Sequence, residues 1–260
     1  MALPLSFRGI SHLLKENLID NKVSVSLAGF LGRNFTQILV TEEEQGYSRD
    51  KEGVKIKMSR AVHFTDVIIR KPLEGYRKNV DLTEIDKIID AGAFPGEFAI
   101  FAAKKEDVDV IALEPDPKNA EELRENIQMN GVGENVTVVE TGLWKEKTEK
   151  SFERDHQLGM SSQINENASI TINLDTLDHI VSEFGEPDLV KMDIEGAEIE
   201  ALEGAERVLG DIRPEFSIAT YHRRNGAEKT FKQVEEILEE HEYSTETGYS
   251  RHLTTYGGPE

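Results

Sequence analysis

The chain has 260 residues, 38% apolar and 31% charged, which is enough apolar content to bury a core and excludes wholesale disorder. With 30 Lys plus Arg against 50 Asp plus Glu, the net charge is −20, and a surface of that sign opposes binding to polyanionic nucleic acid. The absence of cysteine excludes disulfides, thiolate metal sites, iron–sulfur clusters and thiol catalysis. No apolar run approaches the ~18 residues of a membrane helix. The N-terminus lacks the sustained apolar stretch and small-residue cleavage site of a signal peptide, so a cytoplasmic location is expected. The balance of 35 Glu to 15 Asp, with 17 Lys, differs from the Asp-rich, Lys-poor composition expected of strong salt adaptation.

Residues 1–80 form an expected extension. Leu5 to Ile19 carries Ile10, Leu13, Leu14 and Leu18 at helical spacing, and Asp20-Asn21 offers a stop. Val23 to Leu27, Ile38 to Val40 and Val54 to Met58 alternate like strands, while the polar stretch from Thr41 to Gly53 is expected to be an exposed loop or turn. From about Ile85 the pattern changes. Short apolar runs at Lys87–Asp90, Val108–Leu113, Val136–Val139, Leu189–Met192 and Phe216–Ala219 predict strands. Between them lie predicted helices at Glu97–Lys104, after Asp116-Pro117, and over Ile199, Leu202, Ala205 and Leu209. Asp116 is a good N-cap with Pro117 at the first helical position, and Gly131 ends that helix. A last helix at Lys229–Glu240 precedes a terminal hairpin. Strand alternating with helix predicts a parallel sheet with right-handed crossovers, hence an α/β sandwich in residues 81–260.

In such sheets ligands bind beyond the carboxyl ends of the strands. The first turn there reads Asp90-Ala91-Gly92-Ala93-Phe94-Pro95-Gly96, whose G-x-x-x-G spacing differs from the G-x-G-x-x-G of pyrophosphate-binding turns. Gly92 would allow close approach of a ligand, and Gly96 a tight helix start. Glu114 ends the second strand 18 residues beyond Gly96, where an acid can grip ribose hydroxyls. Turn and acid together point to an adenosine-bearing ligand without requiring phosphate. The competing reading is that Gly92 and Gly96 are ordinary loop glycines and Glu114 a solvated helix-entry acid.

These residues carry a resemblance. In order and spacing, IIDAGAFPG, ALEPDPKNAEELRENIQMNG, GMSSQI, LDTL, LVKMDIEGAEIEALEGAE and RPEFSIATYH resemble the FkbM family of S-adenosylmethionine-dependent methyltransferases, from about Asp66 to His222. The resemblance implies a Rossmann-like class I methyltransferase sandwich: a mostly parallel seven-stranded sheet with an antiparallel last strand, extended here by the N-terminal helix and strands. It implies methyl transfer, usually to oxygen. By position, Asp90, Gly92, Ala93, Phe94 and Gly96 would cradle the methionine and ribose portions of S-adenosylmethionine. Glu114, beside Pro115, would hold the ribose hydroxyls, and Thr141-Gly142 would approach the adenine.

A hydroxyl acceptor must lose its proton as the new bond forms, whereas a carboxylate acceptor needs no base. Asp193 is the first choice for base or orienting group, and Lys191 would hold the acceptor or stabilise an alkoxide. An ion pair between the two is the competing reading. His222 is an alternative base. Glu195 and Glu198 are either site residues or acids favourably placed in the first turn of a helix. Met160-Ser161-Ser162 would contact substrate or form a plain polar loop, and Asp175 is expected to be structural. No metal site is expected, because the seven histidines are scattered without a paired H-x-x-x-H spacing. The expected partner is a small-molecule or glycan hydroxyl, or a sugar carboxylate. A non-catalytic S-adenosylmethionine sensor and an RNA ribose methyltransferase are the alternatives.

Overall fold

The computed structural model describes residues 39–43, 46–51, 54–58, 76, 81–106, 108–153, 163–164, 170–224, 228–249 and 252–260. The expected N-terminal helix, the strand at Val23–Leu27 and the loop Met160–Ser162 lie outside these residues. In chain order, β1 (Leu39–Glu43), β2 (Gly46–Lys51) and β3 (Val54–Met58) make an antiparallel sheet. Part of the stretch expected to be a loop is therefore paired: Leu39 faces Asp50 and Glu43 faces Gly46. Polarity misleads here, because strand formation depends more on pairing context than on the residue's own preference.

A 3₁₀ turn at Leu82–Glu84, capped by Asp81, leads into β4 (Lys87–Ala91). Then follow α1 (Glu97–Glu106), β5 (Asp109–Leu113), α2 (Pro117–Asn130) and β6 (Val136–Val139). As expected, Asp116 caps α2 through the Lys118 amide, and Gly131 closes it in the left-handed region at φ 70°. Next come β7 (Gly142–Leu143), β8 (Thr148–Glu153), β9 (Gln163–Ile164) and β10 (Ile170–Asp175), a small separate sheet that the sequence pattern did not suggest. After α3 (Leu177–Phe184) and β11 (Leu189–Met192), the expected long helix is broken. α4 spans only Glu198–Glu203 and a π-helical turn covers Val208–Ile212. The break falls at Gly204, where a Cβ would collide with the Trp144 carbonyl. The chain ends with β12 (Glu215–Ala219), the short pair β13 (Arg223–Arg224) and β14 (Glu228–Lys229), α5 (Phe231–Glu240), and the hairpin β15 (Tyr243–Tyr249) and β16 (Leu253–Pro259).

The main sheet has seven strands in the order β15-β16-β12-β11-β4-β5-β6. β6, β5, β4, β11 and β12 are mutually parallel, and β16 runs antiparallel to both of its neighbours. The expected reversed last strand is thus inserted inside the sheet. Side chains alternate between its faces: Ile88, Val110 and Ala112 join one core with Phe98 and Leu123, whereas Ile89, Ile111 and Leu113 join the other with Leu177, Leu202 and Leu238. Helices cover both faces, as a buried parallel sheet requires. No helix among the described residues is long and apolar enough to cross a membrane.

Two asparagines fasten β3 to α2. Asn130 Oδ1 accepts from the Lys55 amide at 2.8 Å and its Nδ2 donates to the Lys55 carbonyl at 2.6 Å. Asn126 repeats the pair on Lys57 at 2.8 and 2.9 Å and also donates to the Pro95 carbonyl at 3.0 Å. Each carboxamide thus closes the ladder as a peptide group of a further strand would. Asn126 is fully buried. Asn126→Ala is expected to cost about 2–4 kcal/mol in urea unfolding, since it strands buried backbone groups, and the half-buried Asn130→Ala about 1 kcal/mol. Hydrogen exchange at residues 54–58 should accelerate in the first variant.

Candidate functional site

The carboxyl ends of β4, β5 and β11 meet at one edge of the sheet. β4 ends at Asp90-Ala91 beside Lys191-Met192 of β11, with Asp90 and Lys191 register partners. Lys191 Nζ lies 2.8 Å from Asp90 Oδ1, both side chains being buried, and donates to the Gly92 carbonyl at 3.0 Å. Lys191 therefore spends its charge on Asp90 and the glycine turn; the ion pair expected with Asp193 is made with Asp90 instead, its register partner on β4. Burial raises the Asp90 pKa, and the Lys191 charge opposes it.

Gly92 has φ +74°, and a Cβ there would run into the Asp193 carbonyl. Glycine is required at this point by the neighbouring β11 segment, whatever the ligand. Gly96, at φ +100°, similarly makes room for Leu123 Cδ1, 2.6 Å from a would-be Cβ. The amides of Gly92 and Ala93 both donate to the Leu113 carbonyl, at 3.0 and 3.1 Å, folding the turn over the end of β5. Directly beyond, Glu114 is buried, and its carboxylate meets the amides of Asp116 and Phe94 and the Asn119 side chain. The turn and the acid are thus neighbours. Burial pushes the Glu114 carboxyl up to about 7.

Thr141 is buried with its hydroxyl donating to the Asn173 carbonyl at 3.2 Å. Gly142 is fitted against Leu174 and Pro115, which brings this pair beside the Glu114-Pro115 corner.

Asp193 follows β11, its amide bonded to the Ala91 carbonyl at 3.0 Å. Its Oδ2 accepts from Tyr76 Oη at 2.6 Å and its Oδ1 from Tyr221 Oη at 3.3 Å. Burial alone would raise its pKa, but His222, Lys191 and the Tyr76 hydroxyl hold it below the usual carboxylate value. Glu195 lies in the loop before α4 and not in the helix, at φ 58°. A non-glycine residue in this region costs on the order of 1 kcal/mol and is concentrated at functional sites. Burial raises its pKa against the pull of His222. Glu198, the first residue of α4, is fully buried and binds His222 Nδ1 at 2.9 Å. His222 Nε2 is 3.2 Å from Glu195 Oε2 and 3.5 Å from Asp193 Oδ1. Although burial pulls the imidazole down, the Glu195, Glu198 and Asp193 carboxylates raise it to about 11, which removes it as a ready proton acceptor near neutrality.

The structure therefore gathers Asp193, Glu195 and His222 with Lys191 at the edge that also carries the turn and Glu114. The sequence reading missed Tyr76, which belongs to the expected extension, and His252 of the terminal hairpin, whose ring lies 4.9 Å from Tyr76 and 5.1 Å from Tyr221. Neither sits in a motif. Asp175 is occupied by Lys147 and His179, each at 2.9 Å, in the structural role expected.

A titration sign follows from Glu114. Its carboxyl is raised in the folded chain, so the folded state binds the extra proton; stability from this group is full below about 4.5 and lost as pH rises through about 7. Glu114→Gln should accordingly stabilise the ligand-free protein at pH 8, by up to about 3 kcal/mol, and leave it nearly unchanged at pH 4.5. Thermal melts at the two pH values check this.

The fold is that of the FkbM methyltransferase of Methylobacillus flagellatus, at 22% identity and a TM-score of 0.52, with 66% of this chain and 43% of that one covered. The chain thus spans less than half the length of that structure. Looser likenesses join it to a precorrin-6y C5,15-methyltransferase of Geobacter metallireducens (16% identity, TM-score 0.44, 67% and 80% covered). An O-methyltransferase family protein of Burkholderia thailandensis is similar at 13% identity and TM-score 0.48, with 76% and 58% covered. No curated protein matches the sequence. The methyltransferase FkbM domain matches residues 90–245, from the first acid of the glycine turn to the terminal hairpin and over more than half of the chain, so the chain belongs to the FkbM methyltransferase family.

Proposed function

We propose that the protein transfers a methyl group from S-adenosylmethionine to an oxygen of a small-molecule or glycan acceptor, a hydroxyl or a sugar carboxylate. Residues 81–260 would be the cofactor-binding domain and residues 1–80 an extension packed on it. The observation that carries the reading is the contact of Gly92 with Asp193, which joins the adenosine-type turn to a cluster of ionised side chains. The residues suit the cofactor: Glu114 is a buried carboxylate facing the turn, ready to accept from a ribose diol, and the backbone of Gly92–Phe94 lies beside it. Asp90 and Lys191 would hold the turn in shape, and Thr141-Gly142 would border the base.

S-adenosylmethionine supplies an electrophilic methyl carbon on a sulfonium, which leaves as a neutral thioether once displaced. Asp193, kept ionised by Lys191, His222 and Tyr76, would accept the proton of an acceptor hydroxyl as the oxygen–carbon bond forms. With a carboxylate acceptor no base is needed, and His222, raised by its carboxylate neighbours, would serve to orient it. Placing the acceptor in line and close accounts for most of the gain.

Calorimetric titration with S-adenosylmethionine should show saturable binding of one equivalent, lost by at least tenfold in Glu114→Ala. Cell extract incubated with isotope-labelled cofactor should yield an acceptor heavier by one labelled methyl group. Absence of binding at millimolar cofactor would overturn the proposal.

A further inference from the structure

We infer that Asp193 Oδ1, Glu195 Oε2 and His222 Nε2 form a binding site for one divalent first-row metal ion. One carboxylate oxygen from each acid and one imidazole nitrogen lie within 4.8 Å of one another. His222 Nε2 is 3.2 Å from Glu195 Oε2 and 3.5 Å from Asp193 Oδ1. Donor atoms about 2.1 Å from a common ion stand roughly 3.0–3.4 Å apart, according to octahedral or tetrahedral arrangement. The 3.2 Å spacing falls within this range and the 3.5 Å spacing just outside it.

Three further features separate this cluster from a chance gathering of acids. The His222 side chain is more than nine-tenths buried, yet Nε2 makes no hydrogen bond despite the two oxygens beside it. The ring is aimed at the carboxylates without being in line to donate to either. Its other nitrogen is engaged by the fully buried Glu198 at 2.9 Å, and Glu198 in turn accepts from the Gly196 amide at 3.1 Å. A histidine held by a carboxylate through Nδ1 is oriented to ligate through Nε2, whose proton the incoming ion displaces. Asp193 is likewise held through its other oxygen, Oδ2, by the Tyr76 hydroxyl, while Tyr221 donates to Oδ1 at 3.3 Å, and Glu195 is fixed by a backbone in the left-handed region.

Charge points the same way. Three carboxylates, Asp193, Glu195 and Glu198, face one imidazole, while the adjacent Lys191 is paired with Asp90. A dication at the common point of the three donors balances this excess. Two oxygens and one imidazole suit a borderline or hard ion such as Mn²⁺. Three protein donors leave positions for oxygens of the acceptor, which the ion would orient and acidify; this role, though not the site itself, rests on the methyl-transfer reading.

Titration of the full chain with MnCl₂, followed by the electron paramagnetic resonance of free Mn²⁺, tests the inference. One saturable equivalent is expected, weakened about tenfold or more in Glu195→Gln and in His222→Ala and unchanged in Glu240→Gln, an exposed acid elsewhere. Circular dichroism verifies that each variant is folded, and Glu195→Gln decides the matter if His222→Ala is not. Binding that never saturates, or that persists undiminished in Glu195→Gln, overturns the site. Cofactor titrations on the same samples keep the two proposals apart: cofactor binding without Mn²⁺ sinks the metal site alone, and Mn²⁺ binding without cofactor sinks the methyl-transfer reading alone.

Discussion

Replacing Asp193 by Asn is expected to lower the rate of methyl transfer to a hydroxyl acceptor by about 10²–10⁴-fold, with S-adenosylmethionine affinity changed less than about threefold. The amide keeps the side-chain shape and an oxygen that accepts from Tyr76, so the fold and the turn should survive. What it loses is the negative charge that can take a proton. The charge is dependable near neutrality because His222, Lys191 and the Tyr76 hydrogen bond all favour the ionised form. Single-turnover kinetics with the acceptor, alongside calorimetry with the cofactor, separate the two quantities. Equal loss of both would instead make Asp193 a support of the glycine turn.

Replacing Gly92 by Ala is expected to do the greatest harm to the site as a whole. At φ +74° an alanine costs about 1 kcal/mol in backbone strain alone. Its Cβ also meets the Asp193 carbonyl, a backbone atom that cannot swing aside as a side chain would. Either the turn or the segment after β11 must move, and the Asp193 amide bond to the Ala91 carbonyl ties the two together. A loss of about 3–5 kcal/mol in denaturant unfolding is expected, with cofactor binding abolished. Gly131→Ala is the matched comparison: its φ is also positive, but nothing lies within 4 Å of the added atom, so only the strain remains. A Gly92 variant no worse than Gly131→Ala would show that the turn is freer than its packing indicates.

The main sheet was legible because β4, β5, β6, β11 and β12 are compact apolar runs bracketed by caps and glycines, and burial on both faces leaves such a signature. β1 was read only at its start, Leu39-Val40, and β2 not at all, since the rest of LVTEE and all of GYSRDK are mostly polar and reveal themselves only through their partners. β8 and β10 fail for a related reason: TEKSFE and ITINLD mix apolar and polar residues in short pieces. The break at Gly204 depends on a carbonyl sixty residues earlier in the chain, which no local pattern carries. At the site, the residue types and strand ends were readable but their pairings were not. Lys191 meets Asp90 through inter-strand register, and His222 meets Glu198 and Asp193 through the order of β11 and β12 within the sheet. Tyr76 arrives from a segment with no pattern at all.

The asparagine clasp on β3 grips only main-chain atoms of Lys55 and Lys57. Every amino acid except proline presents those same atoms, so the attachment is indifferent to the identity of the residues it holds. The appended sheet can therefore drift in sequence without losing its anchorage, provided Asn126 and Asn130 stay in place. Variation would accumulate on the strands and constancy on the helix beneath them, leaving the three-stranded sheet free to be reshaped while the main sheet stands still.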